Sequence, residues 1–227
     1  MILHRAIAID GPAASGKSTL ARILSQRLGL IMVNSGSMYR AVTWKVLQLG
    51  LDPNNRTQVV EALRNMEIQC GVEGLSSTVA VDGIDPGDEL RSEGVNANVS
   101  AVSAVPEVRE CLVSLQRDYL KLGDVVMEVR DIGSVVFPET PYKIYMDADP
   151  YVREARREEV GEVDSVAARD HADSRRETAP LKIAEGAAIL DTSGHTIETG
   201  VAAALKILAA QGFVIPESAW EEKAGLL

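Results

Sequence analysis

The chain is 227 residues long, 46% hydrophobic, with 33 acidic against 23 basic side chains and a net charge of −10. That length suits one α/β domain with an ample core and inserted segments, and is short for two independent domains. The acidic balance argues against a general nucleic-acid or anionic-membrane surface, so anionic substrates have to be met by a locally basic pocket.

In chain order, the apolar run Ala6-Ile7-Ala8-Ile9 reads as a strand. It leads straight into Gly11-Pro12-Ala13-Ala14-Ser15-Gly16-Lys17-Ser18, a complete G-x-x-x-x-G-K-S phosphate loop, followed by an amphipathic helix from Thr19 to Leu28. Strand, loop and helix together make a phosphate cradle: backbone N–H groups turn inward and the helix N-terminus adds its positive dipole end. Residues Gly11 to Thr19 are therefore expected to bind a nucleoside triphosphate, with Lys17 reaching its β- and γ-phosphates and Ser18 ligating Mg²⁺. Leu30 to Val33 reads as a second strand, ending in an Asn34-Ser35-Gly36-Ser37 loop and a helix that carries Tyr39 and Arg40. Ligands of open parallel sheets bind at strand carboxyl ends, which makes Ser35, Tyr39 and Arg40 candidates.

From about Leu51 to Arg91, Asp, Asn and Gly punctuate short alternating runs, read as a small β-containing insert with a hairpin at Thr78-Val79-Ala80-Val81-Asp82-Gly83. Asp88 to Ser103 reads as helical, and Pro106 as the first residue of a helix to about Leu120 that carries Arg109 on its first turn. Asp124 to Glu128 is a buried-strand pattern presenting a carboxylate at its end, with Arg130 and Asp131 directly after it. Tyr142 to Met146 is another core strand, and Asp149-Pro150 opens a helix with Arg153, Arg156 and Arg157. Between about Val166 and Arg176, Arg169, Asp173 and Arg176 share one helical face, which either converges on a ligand or is a solvated ion-paired face; pattern alone favours the latter. Ala187 to Asp191 reads as the last strand, Thr196 caps a final helix to about Gly212, and 213–227 is a short acidic tail, either docked through Trp220 or disordered.

A phosphate loop alone fits kinases, GTPases, motors and regulatory ATPases. The N-K-x-D base-reading motif of GTPases is absent, and motor or AAA-type ATPases are usually longer. Arg40, Arg130 and Arg176 come from three separate regions, and guanidinium forks suit phosphate oxygens; each alone would be a surface ion pair, whereas jointly they favour phosphoryl transfer between two anionic substrates. Glu128 stands where a carboxylate would orient Mg²⁺ opposite Ser18, or else simply ends its strand. Cys70 and Cys111 lack metal or disulfide spacing and read as buried small side chains, and His4, His171 and His195 are scattered. No apolar run of about 20 residues and no signal-like start is present, so a cytoplasmic location is expected.

Ile9-Asp10-Gly11-Pro12 before Gly16-Lys17-Ser18-Thr19, Ser35 to Arg40, the run Arg130-Asp131-Ile132-Gly133-Ser134-Val135-Val136-Phe137-Pro138, Ala179-Pro180-Leu181 and Leu190-Asp191-Thr192 together resemble the bacterial cytidylate kinases of the nucleoside monophosphate kinase family, from about Ile7 to at least Ile197. The R-D-I-G-S-V-V-F-P run is far more specific than the phosphate loop. The resemblance implies a P-loop kinase fold: a central five-stranded parallel sheet flanked by helices, with a nucleotide-binding insert at about 36–110 and a short lid at about 153–178 in a single domain spanning 1–227. It implies Mg²⁺, ATP as donor, CMP and dCMP as acceptors, and a monomer. It further implies that Lys17, Arg40, Arg130 and Arg176 are catalytic, that Arg153 and Arg157 contact the donor, and that Ser35 and Tyr39 line the acceptor site. By the same resemblance Arg40, Arg130 and Arg176 hold the acceptor phosphate, Ser100, Arg109 and Asp131 read cytosine, and Arg169 and Asp173 approach the ribose. The family more often has Asp-Gly where this chain has Glu128-Val129, a carboxylate one methylene longer. The alternatives are a kinase of another small acceptor, a UMP/CMP kinase with a weaker cytosine preference, and a non-catalytic ATP-binding regulatory protein.

Overall fold

A computed structural model describes residues 4–159 and 182–221. The chain divides into two compact units, one made of the residues up to Val33 and those from Leu120 onward, the other of Asn34–Tyr119.

The first unit is built on strands β1 (Ala6–Asp10), β2 (Ile31–Asn34), β5 (Val125–Val129), β6 (Lys143–Asp147) and β7 (Ala188–Asp191), in the order β2-β5-β1-β6-β7. The pairs β5–β1, β1–β6 and β6–β7 are parallel. All five residues of the central strand β1 are buried, which is why its first four form an unbroken apolar run rather than an alternation. Helix α1 (Lys17–Leu28) presents Leu20 and Leu24, and α7 (Ile197–Ala210) presents Val201, Leu205 and Leu208, to one core with Ile7, Ile9, Val126 and Ile144. Thr196 caps α7 as expected, its hydroxyl accepting from the Thr199 N–H. Helix α6 (Pro150–Glu159) opens at Pro150, and Asp149 Oδ1 accepts from the Tyr151 N–H at 2.8 Å.

Past α7, docking falls to Phe213 and Ala219 rather than to Trp220. The Phe213 ring is buried edge-on against Tyr142 with the Arg5 guanidinium over it, and Arg27 Nη1 donates to the Ala219 carbonyl at 3.1 Å, while Trp220 is exposed.

In the second unit, α2 (Ser35–Gln48) starts directly at Ser35 instead of after a loop, because the Asn34 side chain accepts from the Ser37 N–H and caps it. Helix α3 (Arg56–Asn65) was not expected; Asn55 caps it and only Val59 and Ala62 of it are buried, too sparse an apolar stripe to stand out. The hairpin joins β3 (Ile68–Glu73) to β4 (Ser76–Val81), turning at Gly74 with φ 60. Asp82-Gly83 does make a tight turn, but it closes only the single Val81–Ile84 bridge before Asp85-Pro86 ends the pairing. The expected helix at Asp88 to Ser103 is broken at Ser92, which caps α4 (Glu93–Ser103) after a short 3₁₀ turn at Gly87–Arg91; α5 (Pro106–Asp118) begins at Pro106. Trp44, Val79, Val81 and Val95 form this unit's own core. Cys70 and Cys111 are free thiols, half-buried rather than buried.

Among the described residues, no helix is long and apolar enough to cross a membrane.

Candidate active site

The phosphate loop is fixed by backbone geometry. Gly11 leaves β1 at φ +148, and a Cβ there would stand 2.0 Å from the Met146 carbonyl oxygen of β6, so no side chain fits. Gly16, at φ 92, is the left-handed residue that starts α1. Ser15 Oγ donates to the Pro12 carbonyl at 3.1 Å, and the buried Lys17 ammonium turns back into the loop, donating to Pro12 O at 2.5 Å and Ser15 Oγ at 3.3 Å. Ser18 Oγ donates to Glu128 Oε1 at 3.0 Å, the carboxylate coming from the end of β5, opposite Ile9. Hydroxyl and carboxylate are hard oxygen donors, so this pair fits a Mg²⁺ site in which phosphates and water complete the shell.

Helix α6 turns its arginines onto the loop. Arg153 is buried, with Nε donating to Ala148 O at 3.0 Å and Nη1 to Ala13 O at 3.3 Å. Arg156 reaches Thr192, with Nη1 at 3.1 Å from Oγ1 and Nη2 at 2.9 Å from the carbonyl, and Thr192 Oγ1 in turn donates to Ser15 O at 3.1 Å. Ala14 to Leu20, Arg156, Arg157, Thr192 and the start of α7 line a half-open cleft of about 720 Å³. Its lining brings the phosphate loop together with the basic residues Arg156 and Arg157 and the apolar residues Ile197 and Val201.

Arg130 and Asp131 follow β5 and precede a single wide turn, Ile132–Val136. Asp131 is 3% exposed. Asp10, the last residue of β1 and also 3% exposed, accepts from Ile132 N at 2.7 Å and Gly133 N at 2.8 Å. Burial is the main cause that lifts its carboxyl from 3.8 to about 6; the two N–H bonds oppose that shift and the Asp131 charge adds to it.

In the second unit, Ser35 is the fully buried first residue of α2, and Tyr39 lies one turn on. Arg40 Nη1 donates to Leu90 O at 3.0 Å and Asn96 Oδ1 at 2.6 Å. The buried Arg109 places its guanidinium 5.6 Å from the Tyr39 ring centroid and donates to Ser103 O at 3.3 Å; Ser100 is exposed on α4. The structure thus gathers Lys17, Ser18, Glu128 and Arg157 around the loop in one unit, and Tyr39 with Arg109 in the other. Arg169, Asp173 and Arg176 lie outside the described residues.

Sequence reasoning missed Asp10, Arg156 and Thr192. Asp10 and Thr192 both sat inside the family motifs without a role, and Thr192 also lay just past the carboxyl end of the last strand.

The family model described as cytidylate kinase matches residues 7–210. A cytidylate kinase of Clostridium botulinum strain Langeland is 39% identical over 208 residues, covering 87% of this chain and 94% of that protein. One from Caldicellulosiruptor saccharolyticus is 40% identical over 203 residues, covering 85% and 90%. Among solved structures, a sugar kinase from Janibacter sp. HTCC2649 shares the fold, with a TM-score of 0.50 at 12% identity over 96% of this chain and 99% of that one.

Proposed function

The chain belongs to the cytidylate kinase family, and from that premise we propose that it transfers the γ-phosphate of ATP reversibly to CMP or dCMP, giving ADP with CDP or dCDP, as a cytoplasmic monomer. The reading is supported by the span of the family match: residues 7–210 take in the phosphate loop, Arg40, Arg109, the Arg130-Asp131 pair and the Arg169 to Arg176 segment alike.

Gly11 to Thr19 would cradle the donor phosphates, with Lys17 exchanging its loop carbonyl for phosphate oxygens, a stronger partner for an ammonium. Arg157 on the cleft wall would contact the donor nucleotide, and Arg153 would support the loop from α6. Ser18 and Glu128 would hold Mg²⁺, which when bound neutralises charge on the phosphates. Arg40, Arg130 and Arg176 are assigned to the acceptor phosphate, Ser35 and Tyr39 to the acceptor's surroundings, and Arg169 and Asp173 to its ribose. No general base is needed, because the attacking phosphate oxygen is already anionic; alignment and charge stabilisation supply the catalysis.

Base choice follows from donor and acceptor matching. Cytosine offers N3 and O2 as acceptors and its N4 amino group as a donor, so Arg109 donates to the ring and Asp131 accepts from the amino group, with Ser100 assigned to the same base. Uracil reverses N3 and position 4 and leaves both charged groups mispaired, a mismatch that polar sites punish heavily. Neither contact uses the 2′-position, so dCMP fits as CMP does.

The test is ADP release from Mg-ATP with CMP, dCMP, UMP or AMP. Turnover with CMP and dCMP well above UMP and AMP is expected, with the CMP preference collapsing in Asp131→Ala. Equal turnover with UMP, or an unchanged preference in Asp131→Ala, would contradict the assignment.

A further inference from the structure

Asp131 stands where an aspartate commonly caps the turn that follows it, yet its side chain makes no cap bond to Ile132–Val136. The cap comes from a different strand. Asp10 takes the Ile132 N–H on Oδ1 and the Gly133 N–H on Oδ2, so a single carboxylate holds both leading N–H groups of the turn.

Asp10 is placed at a junction. Its successor is Gly11, which the carbonyl of Met146 pins at the root of the phosphate loop, and its sheet partner is Val129, the residue before Arg130. Gly133 completes the joint from the other side. A Cβ at that position would lie 3.1 Å from Asp10 Oδ2, 3.2 Å from Lys143 Cδ and 3.3 Å from the Ala184 Cβ, tighter than ordinary contact with all three. A carboxylate buried at the end of a core strand carries a desolvation cost that an apolar residue there would avoid. The two N–H groups it holds account for its presence.

We infer that Asp10 is a positioning residue for the acceptor nucleotide: by capping the Ile132–Val136 turn from β1 it fixes Arg130 and Asp131, which lead into that turn, relative to the phosphate loop. The inference rests on the acceptor roles proposed for Arg130 and Asp131.

The experiment compares Asp10→Asn, Gly133→Ala and Asp131→Ala with the unaltered chain, measuring KM for CMP, UMP and ATP, kcat, and thermal unfolding. Asp10→Asn keeps the size but loses one of the two acceptors; Gly133→Ala disturbs the same joint without touching the carboxylate, and serves if Asp10→Asn does not fold. Both are expected to raise KM for CMP by between about tenfold and a hundredfold, the scale of a displaced substrate-positioning group, and to narrow the CMP-over-UMP preference, with KM for ATP changed much less. A purely structural Asp10 would lower the unfolding temperature while leaving the CMP-over-UMP preference intact. That result, or equal losses for CMP and ATP, would overturn the inference. If Asp131→Ala narrows the preference and the two joint variants do not, the inference alone fails. If Asp131→Ala leaves the preference unchanged, the acceptor assignment fails and the inference falls with it.

Discussion

Asp10 binds its proton more tightly in the folded chain, at about 6, than the ordinary 3.8 of an exposed aspartate, chiefly because it is buried. The folded state therefore holds more protons than the unfolded state across that interval, so this residue's contribution to stability falls as pH rises from about 3.8 to about 6 and is level beyond it. A shift of this size corresponds to roughly 3 kcal/mol. Asp10→Asn removes the titration, so the unfolding free energy of the unaltered chain minus that of the variant should decline between pH 4 and pH 6.5 in urea titrations; a flat difference would contradict the burial account. Lys17 and Ser18 were legible from sequence as parts of a complete loop motif, and Glu128 as the carboxylate near the end of an apolar strand, although its bond to Ser18 joins residues 110 positions apart. Thr192 and Arg156 were not. Their place at the loop depends on β7 pairing with β6, the neighbour of β1, and on α6 turning onto the loop, and the contact from Thr192 to Ser15 spans 177 positions of chain.

The same division holds for whole elements. The inner strands β5, β1 and β6 were readable because strands buried on both faces demand continuous apolar runs, and the less buried β2 and β7 because their apolar runs sit between clear turn and cap residues. In the second unit the elements are short and half-exposed, so α3 escaped notice and the hairpin was placed one turn too late: Gly74 and Asp82-Gly83 are both sound turn signals, and only the strand beyond decides which one makes a ladder. The Asn34 cap has a consequence for the site, because it sets the start of the helix bearing Ser35, Tyr39 and Arg40. Asn34→Ala should lower stability by about 1 kcal/mol, the usual worth of such a cap, and raise KM for CMP more than KM for ATP. Unchanged stability in denaturant titration would show that the cap does not hold α2.

Over the whole molecule, a net charge of −10 coexists with a local cluster of cations, Lys17, Arg153, Arg156 and Arg157, around the phosphate loop. Local fields, not overall charge, govern anion binding. The resemblance read from the sequence and the family match agree on the family, and the match over residues 7–210 takes in the phosphate loop and the Arg130-Asp131 pair alike. The central claim is tested most directly by following the phosphorus signals of Mg-ATP and CMP during turnover. CDP and ADP should appear in equal amounts and reach the same equilibrium from either side, with the rate reduced by about a hundredfold or more in Lys17→Ala, as when a transition-state charge partner is removed. ADP with free phosphate and no CDP, or no reaction while ATP still binds, would contradict it.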